Sequence, residues 1–266
     1  MNRIQKKFIA LKRKQKKALI LFLTAGEPSL QKNEALFHAF EKDGMDLMEF
    51  GVPFSDPLAD GPVIQASSLK SLRRGTNLKK ILRLVRRVRR RSQTPILLMS
   101  YLNPVLHYGL ERFGRDAAAA GVDGVILPDV PPDEGREISS GMRRHGIDLV
   151  YLLAPTSSPK RQRLVTRSSR GFVYFVSLTG VTGSGRSDSA SIRGFVRSAK
   201  KMTRLPVCVG FGISTPQDAK KMAAISDGVI VGSAVVKALS SHPKLSAEAF
   251  SKRFVRPFAK ALGKGK

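Results

Sequence analysis

DLMEFGVPFSDPLADGP, residues 46–62, joins an apolar run to an irregular loop rich in Pro, Gly and acid. The run DLMEFGV (46–52) has the length and composition of a short buried strand. Side chains alternate across a strand, so Leu47, Glu49 and Gly51 share one face while Met48 and Phe50 share the other. Met48 and Phe50 suit packing against covering helices. Glu49 then points inward, at the end of the strand where the loop begins. A carboxyl placed there loses solvent, and its pKa rises toward the range of a working acid/base. The plainer alternative is a salt bridge, yet none of the strand runs contains a Lys or Arg to provide it. Asp60 follows eleven residues later, on a loop long enough to fold back over the strand end.

Seven more runs of the same kind lie along the chain: 18–25, 95–101, 124–129, 148–154, 172–178, 206–212 and 228–234. Helix-like segments separate them, among them SLQKNEALFHAFEKDG, LERFGRDAAAAG and TPQDAKKMAAIS, several opening on Ser, Thr or Asp and several closing on Gly. Continuous apolar strands alternating with helices predict a parallel sheet covered by helices. Eight repeats fit a (β/α)8 TIM barrel, read here as a single domain over residues 1–266 with a basic N-terminal helix and a C-terminal helix. An open doubly wound sheet is the alternative, but no GxGxxG follows the first strand.

In a barrel of this type chemistry sits at the C-terminal ends of the strands. Polar or irregular residues do follow the runs on that side: Thr24 to Glu27, Pro53 to Asp60, Tyr101 and Asn103, Asp129, GVTGSGRS (180–187), GFGIS (210–214) and GSA (232–234). Gly183, Gly212, Gly232 and Ser233 fall in the last three of these loops, where backbone N–H groups and a helix N-terminus can hold a phosphate. Asp56, within Ser-Asp-Pro, reads as a turn or partner contact. Tyr174 shares a strand face with Phe172 and Val176, and its two readings are packing or a phenol near the barrel mouth. The four histidines form no HxH or HExxH pair, which argues against a metal site.

With 47 Lys and Arg against 20 Asp and Glu, the chain carries a net charge of +27. Such a charge favours polyanionic partners. The densest basic run, KKILRLVRRVRRR (79–91), places Ile81, Leu84, Val85 and Val88 at helical spacing. That spacing predicts a buried stripe backed by a solvated basic face. The run contains no aromatic residue for base stacking, and the chain has no Trp. A basic start followed by ALILFLTAG imitates a secretory signal, but the apolar run is short and EPS follows it without a cleavage site. No apolar run reaches the ~20 residues that span a bilayer. The single cysteine, Cys208, allows no internal disulfide, fits a cytoplasmic setting, and reads as a small buried residue.

At MEFGVPFSDPLADGPVIQ (48–65) the chain closely resembles the tryptophan synthase α subunit family. The likeness continues through FLTAGEPS, MSYLNPVLHYG, LPDVPPDE, GVTGSGR, GFGIS and DGVIVGSAVVK, in order. The resemblance implies a lyase that cleaves indole-3-glycerol phosphate to indole and glyceraldehyde 3-phosphate. It implies Glu49 as the general acid/base, Asp60 as the carboxylate bonding the indole N–H, and Tyr174 as an active-site tyrosine. It implies Gly183, Gly212, Gly232 and Ser233 as phosphate holders, and Phe22, Tyr101, Leu127 and Phe211 as indole-pocket lining. Thr182 resembles the closing-loop residue that contacts Asp60. No cofactor is implied, pyridoxal phosphate belonging to the partner β subunit. Docking on that subunit, as α2β2, involves the second and third strand loops and points to Asp56 and Asn103. Charge is the main departure from the family, and Phe50 stands where an aliphatic residue is usual.

Overall fold

The computed structural model describes residues 1–176, 189–210 and 212–264. Its strands are β1 (Ala18–Thr24), β2 (Leu47–Gly51), β3 (Ile96–Met99), β4 (Gly124–Ile126), β5 (Asp148–Val150), β6 (Leu152–Leu153), β7 (Val173–Phe175), β8 (Val207–Val209) and β9 (Gly228–Val231). Every ladder is parallel, and the order is β5-β4-β3-β2-β1-β9-β8-β7-β6. β5 and β6 are the halves of one predicted strand, interrupted at Tyr151. The first half pairs with β4 and the second with β7, so the ring closes through this segment. The eight predicted runs thus occupy eight positions of a (β/α)8 barrel.

Alternation along the strands sorts side chains between two apolar layers. Ile20, Leu47, Leu97, Ile126, Tyr174 and Cys208 belong to the inner cluster, where the strands face one another. Leu19, Leu21, Met48, Phe50, Ile96 and Leu98 belong to the outer cluster against the helices. Phe50 stacks on Phe37 of the helix Leu30–Lys42, centroids 6.3 Å apart, which explains how the outer layer takes an aromatic at this position. The N-terminal helix, Arg3–Arg13, inserts Ile4, Phe8 and Leu11 into the inner cluster and stoppers the barrel at the strands' N-terminal end.

The helices end as their sequences dictate. Ser29 and Asn77 cap through their side chains, Thr215 and Asp218 form a reciprocal capping box, and Gly121 closes the helix Leu110–Ala120 in the left-handed region at φ 92°. In the basic helix Leu78–Arg89 the predicted stripe Ile81, Leu84, Val85 and Val88 is wholly buried. Each such side chain contributes roughly 1.5–3 kcal/mol. The solvated basic face is interrupted. Arg89 turns inward to Asp123 (2.9 Å) and Arg87 pairs with Glu34 (2.6 Å). A carboxylate near the helix end draws each guanidinium from solvent.

Candidate active site

Glu49 stands in the middle of β2, in register with Phe22 on one side and Leu97 on the other. Its neighbours Leu47 and Met48 face opposite clusters, as alternation requires. The side chain is fully buried, and neither carboxylate oxygen has a hydrogen-bond partner among the described residues. The salt bridge weighed from sequence is absent there. Loss of solvent alone pushes the Glu49 carboxyl up to about 8. At neutral pH the group is therefore a proton-bearing acid inside an apolar wall.

Asp60 lies on the loop between β2 and the helix Pro62–Arg73, partly exposed. Burial pushes its carboxyl up to about 6, against a hydrogen bond from the Tyr101 hydroxyl that pulls it down. The same hydroxyl accepts the Ala59 N–H at 2.9 Å, and the Tyr101 ring lies 5.3 Å from Phe54. Tyr101 thus ties the acidic loop to the end of β3. Asp129 anchors that corner by accepting the Leu102 N–H at 2.9 Å.

Tyr174 is buried on the inner face of β7. Burial, then the charge of Glu49, and to a lesser degree that of Asp60, push its phenol well above the ordinary value. The charges of Glu49 and Asp60 are thus both felt at the Tyr174 phenol. Two glycines make room for the rings: a Cβ on Gly210 would stand 2.4 Å from the Tyr174 ring, and one on Gly51 would stand 2.4 Å from the Phe22 ring. Phe22 packs with Ile64, Val236 and Met99, a small apolar layer at the mouth. Ile64 and Met99 escaped the sequence reading. Their signal was position: Met99 ends β3, and Ile64 follows the Asp60 loop by one helical turn. Leu127 is buried within the helix-side cluster rather than with Phe22 or Tyr174.

Gly232 precedes the helix Ser233–Ser241, whose first turn no described side chain caps. The Val235 and Val236 N–H groups bond the Gly232 carbonyl at 2.9 and 3.1 Å, and the positive end of this helix lies beside Phe22. Gly212 is exposed in the left-handed region at φ 62°, with nothing within 4 Å of the place a Cβ would take. Thr182, Gly183 and Phe211 lie outside the described residues. Asp56 and Asn103 are exposed on the loops beyond β2 and β3. Asp56 accepts the Ser55 hydroxyl at 2.5 Å and is part of a turn, its carbonyl taking the Leu58 N–H. Among the described residues no group of three or more His, Cys, Asp and Glu converges, and no helix is long and apolar enough to cross a membrane. Cys208 is buried in the inner cluster, and its thiol is pushed well up by burial.

A family model described as tryptophan synthase alpha chain matches residues 8–261. The chain belongs to that family. Among its relatives, the tryptophan synthase alpha chain of Geobacter sulfurreducens is 54% identical over 237 residues, covering 89% of this chain and 90% of the relative. That of Geotalea daltonii is 49% identical over 252 residues, covering 92% and 96%. The solved tryptophan synthase subunit alpha of Legionella pneumophila superposes with a TM-score of 0.92 at 36% identity, over 99% of each chain. The tryptophan synthase alpha fold and activity follow: a TIM-barrel lyase that cleaves indole-3-glycerol phosphate in tryptophan biosynthesis. The alpha family has no cofactor of its own and pairs with a beta subunit.

Proposed function

We propose that Glu49 carries the proton transfers of this cleavage. Its protonated carboxyl gives a proton to the indole ring carbon bearing the glycerol chain, and the resulting carboxylate takes the proton of the glycerol hydroxyl. The C–C bond breaks as the aldehyde forms, and Glu49 ends protonated as it began. Asp60 accepts the indole N–H and balances positive charge on the ring. Tyr174 packs beside the reacting carbon and narrows the cavity. Gly212, Gly232 and Ser233 receive the phosphate, and Phe22 and Tyr101 flank the indole. The observation that carries the reading is a fully buried carboxyl at the barrel mouth whose two oxygens bond to nothing among the described residues. Nothing in folding accounts for leaving such a group unpaired.

The chain acts as one barrel domain in the cytoplasm, docked on a β subunit in an α2β2 assembly, with pyridoxal phosphate confined to the partner. Docking through Asp56 and Asn103 is supported by two apolar side chains beside them, Leu58 at 92% and Leu106 at 53% exposure. The solvated cations of the outer helices add a weak, salt-sensitive attraction for polyanions.

Glu49→Gln tests the assignment. It is expected to lower kcat/KM for indole release by about 10³-fold or more, with circular dichroism and β-subunit binding unchanged. Turnover within a few-fold of the native chain would remove Glu49 from its role.

A further inference from the structure

At the end of the barrel opposite Glu49, a cleft of about 640 Å³ opens between the N-terminal helix, the segment after the helix Ser189–Met202, and the start of β9. Five cations line it: Lys12, Lys16, Lys17, Lys200 and Arg204. They face a single carboxylate, Asp227. That carboxylate is already engaged, by the Val207 N–H at 3.0 Å and by Lys200 at 2.6 Å. Lys17 donates to the Ser226 carbonyl at 2.7 Å. Lys12, Lys16 and Arg204 have no ion-pair partner among the described residues. The floor is apolar, from Phe8, Leu11, Leu205 and Pro206.

Helix dipoles account for part of this charge, since Lys12 and Lys200 lie in the last turns of their helices. Lys16, Lys17 and Arg204 lie beyond those turns and receive no such stabilisation. Three cations without an ion-pair partner among the described residues, lining one concavity, are relieved by an anion that bridges them. The recess suits a compact ligand better than a duplex, and its volume lies in the range of small-molecule sites. An apolar floor beneath a cationic rim calls for an anion with an organic body.

We propose that this cleft binds a small organic polyphosphate of nucleotide size, its phosphates bridging Lys12, Lys16 and Arg204 and its ring body lying on the floor of Phe8, Leu11, Leu205 and Pro206. The site is independent of the catalytic mouth, from which the barrel interior separates it.

Calorimetric titration of the full chain with ATP, tripolyphosphate and a single-stranded oligonucleotide tests this. ATP is expected to saturate one site per chain and to bind several-fold tighter than tripolyphosphate, which lacks the body. Lys16→Glu with Arg204→Glu, both at exposed positions, is expected to weaken ATP by about tenfold or more while indole release stays unchanged. Lys79→Glu with Arg83→Glu on the outer helix is the control, and it should leave ATP binding intact. Three results would each overturn the proposal: no saturable ATP binding, equal weakening by both pairs, or ATP competing with indole-3-glycerol phosphate. Binding of the oligonucleotide alone would do the same, reassigning the charge to a nucleic-acid surface.

Discussion

Glu49 at the barrel mouth and the acids at the opposite end of the barrel are treated in opposite ways. At the N-terminal end, an Asp stands at the head of four strands and every one is engaged. Asp46 accepts the Leu19 N–H at 2.8 Å and pairs with Lys264. Asp123 accepts the Ile96 N–H at 2.9 Å and holds Arg3 and Arg89. Asp148 accepts from the Asn2 amide at 2.5 Å. Asp227 accepts the Val207 N–H and pairs with Lys200. In three of the four, the carboxylate stitches its own strand to an N–H in the first two residues of the neighbour. At the C-terminal end, Glu49 is more deeply buried than any of these and bonds to nothing described. Desolvation is common to both ends; satisfaction differs. An engaged acid holds the fold together, whereas an unengaged one is held ready for something that is not protein.

This contrast is broken most decisively by exchanging the consequences. Removing the acid at the mouth should be felt in turnover, as set out for Glu49→Gln. Removing an acid at the floor should be felt in folding. Asp123→Ala removes the charge partner of Arg3 and Arg89 and the acceptor of the Ile96 N–H, and is expected to destabilise by roughly 3–5 kcal/mol. Urea unfolding measures it, and a loss under about 1 kcal/mol would show the floor acids to be ornamental.

Glu49→Gln should also stabilise the fold, with a defined dependence on pH. Below about 4.5 the carboxyl is neutral in both folded and unfolded chains, so the two proteins are alike. Between 4.5 and about 8 the unfolded chain ionises first, and native stability falls as pH rises. By pH 8.5 the variant is expected to exceed the native chain by an amount on the order of 5 kcal/mol. A constant gap from pH 5 to 8.5 in thermal melts would mean that Glu49 is not held neutral.

Smaller changes sharpen the contrast. Gly212→Asp sets a charge at the proposed phosphate seat and forces a side chain into the left-handed region. Substrate binding is expected to weaken roughly 10–100-fold, read as KM, with kcat less affected. Tyr101→Phe removes the hydrogen bond that holds the Asp60 carboxyl down. The acid limb of kcat/KM, expected near 6, should move upward by less than about one pH unit. An unmoved limb would detach Asp60 from that limb.

The barrel and its mouth were legible in the sequence because period-two alternation and the polar residues after each run are local signals. The inward turn of Glu49 followed from its place between Met48 and Phe50, and the buried stripe of the basic helix from its spacing. What escaped depended on contacts between distant strands. Asp-Gly-Val-Ile occurs twice, at 123–126 and 227–230, and that repeat was the visible trace of the stitching acids. The inward turn of Arg89 could not be read from its helix alone, because its partner lies on another segment. The break at Tyr151 was equally hidden, since it separates one ladder's partner from the next.

The N-terminal helix has one more effect. With Ile4, Phe8 and Leu11 driven into the floor, the interior becomes a blind alley. On the proposed reading, product freed beside Glu49 cannot pass through this plugged end, so a partner seated over the opposite one is placed to receive it ahead of bulk water.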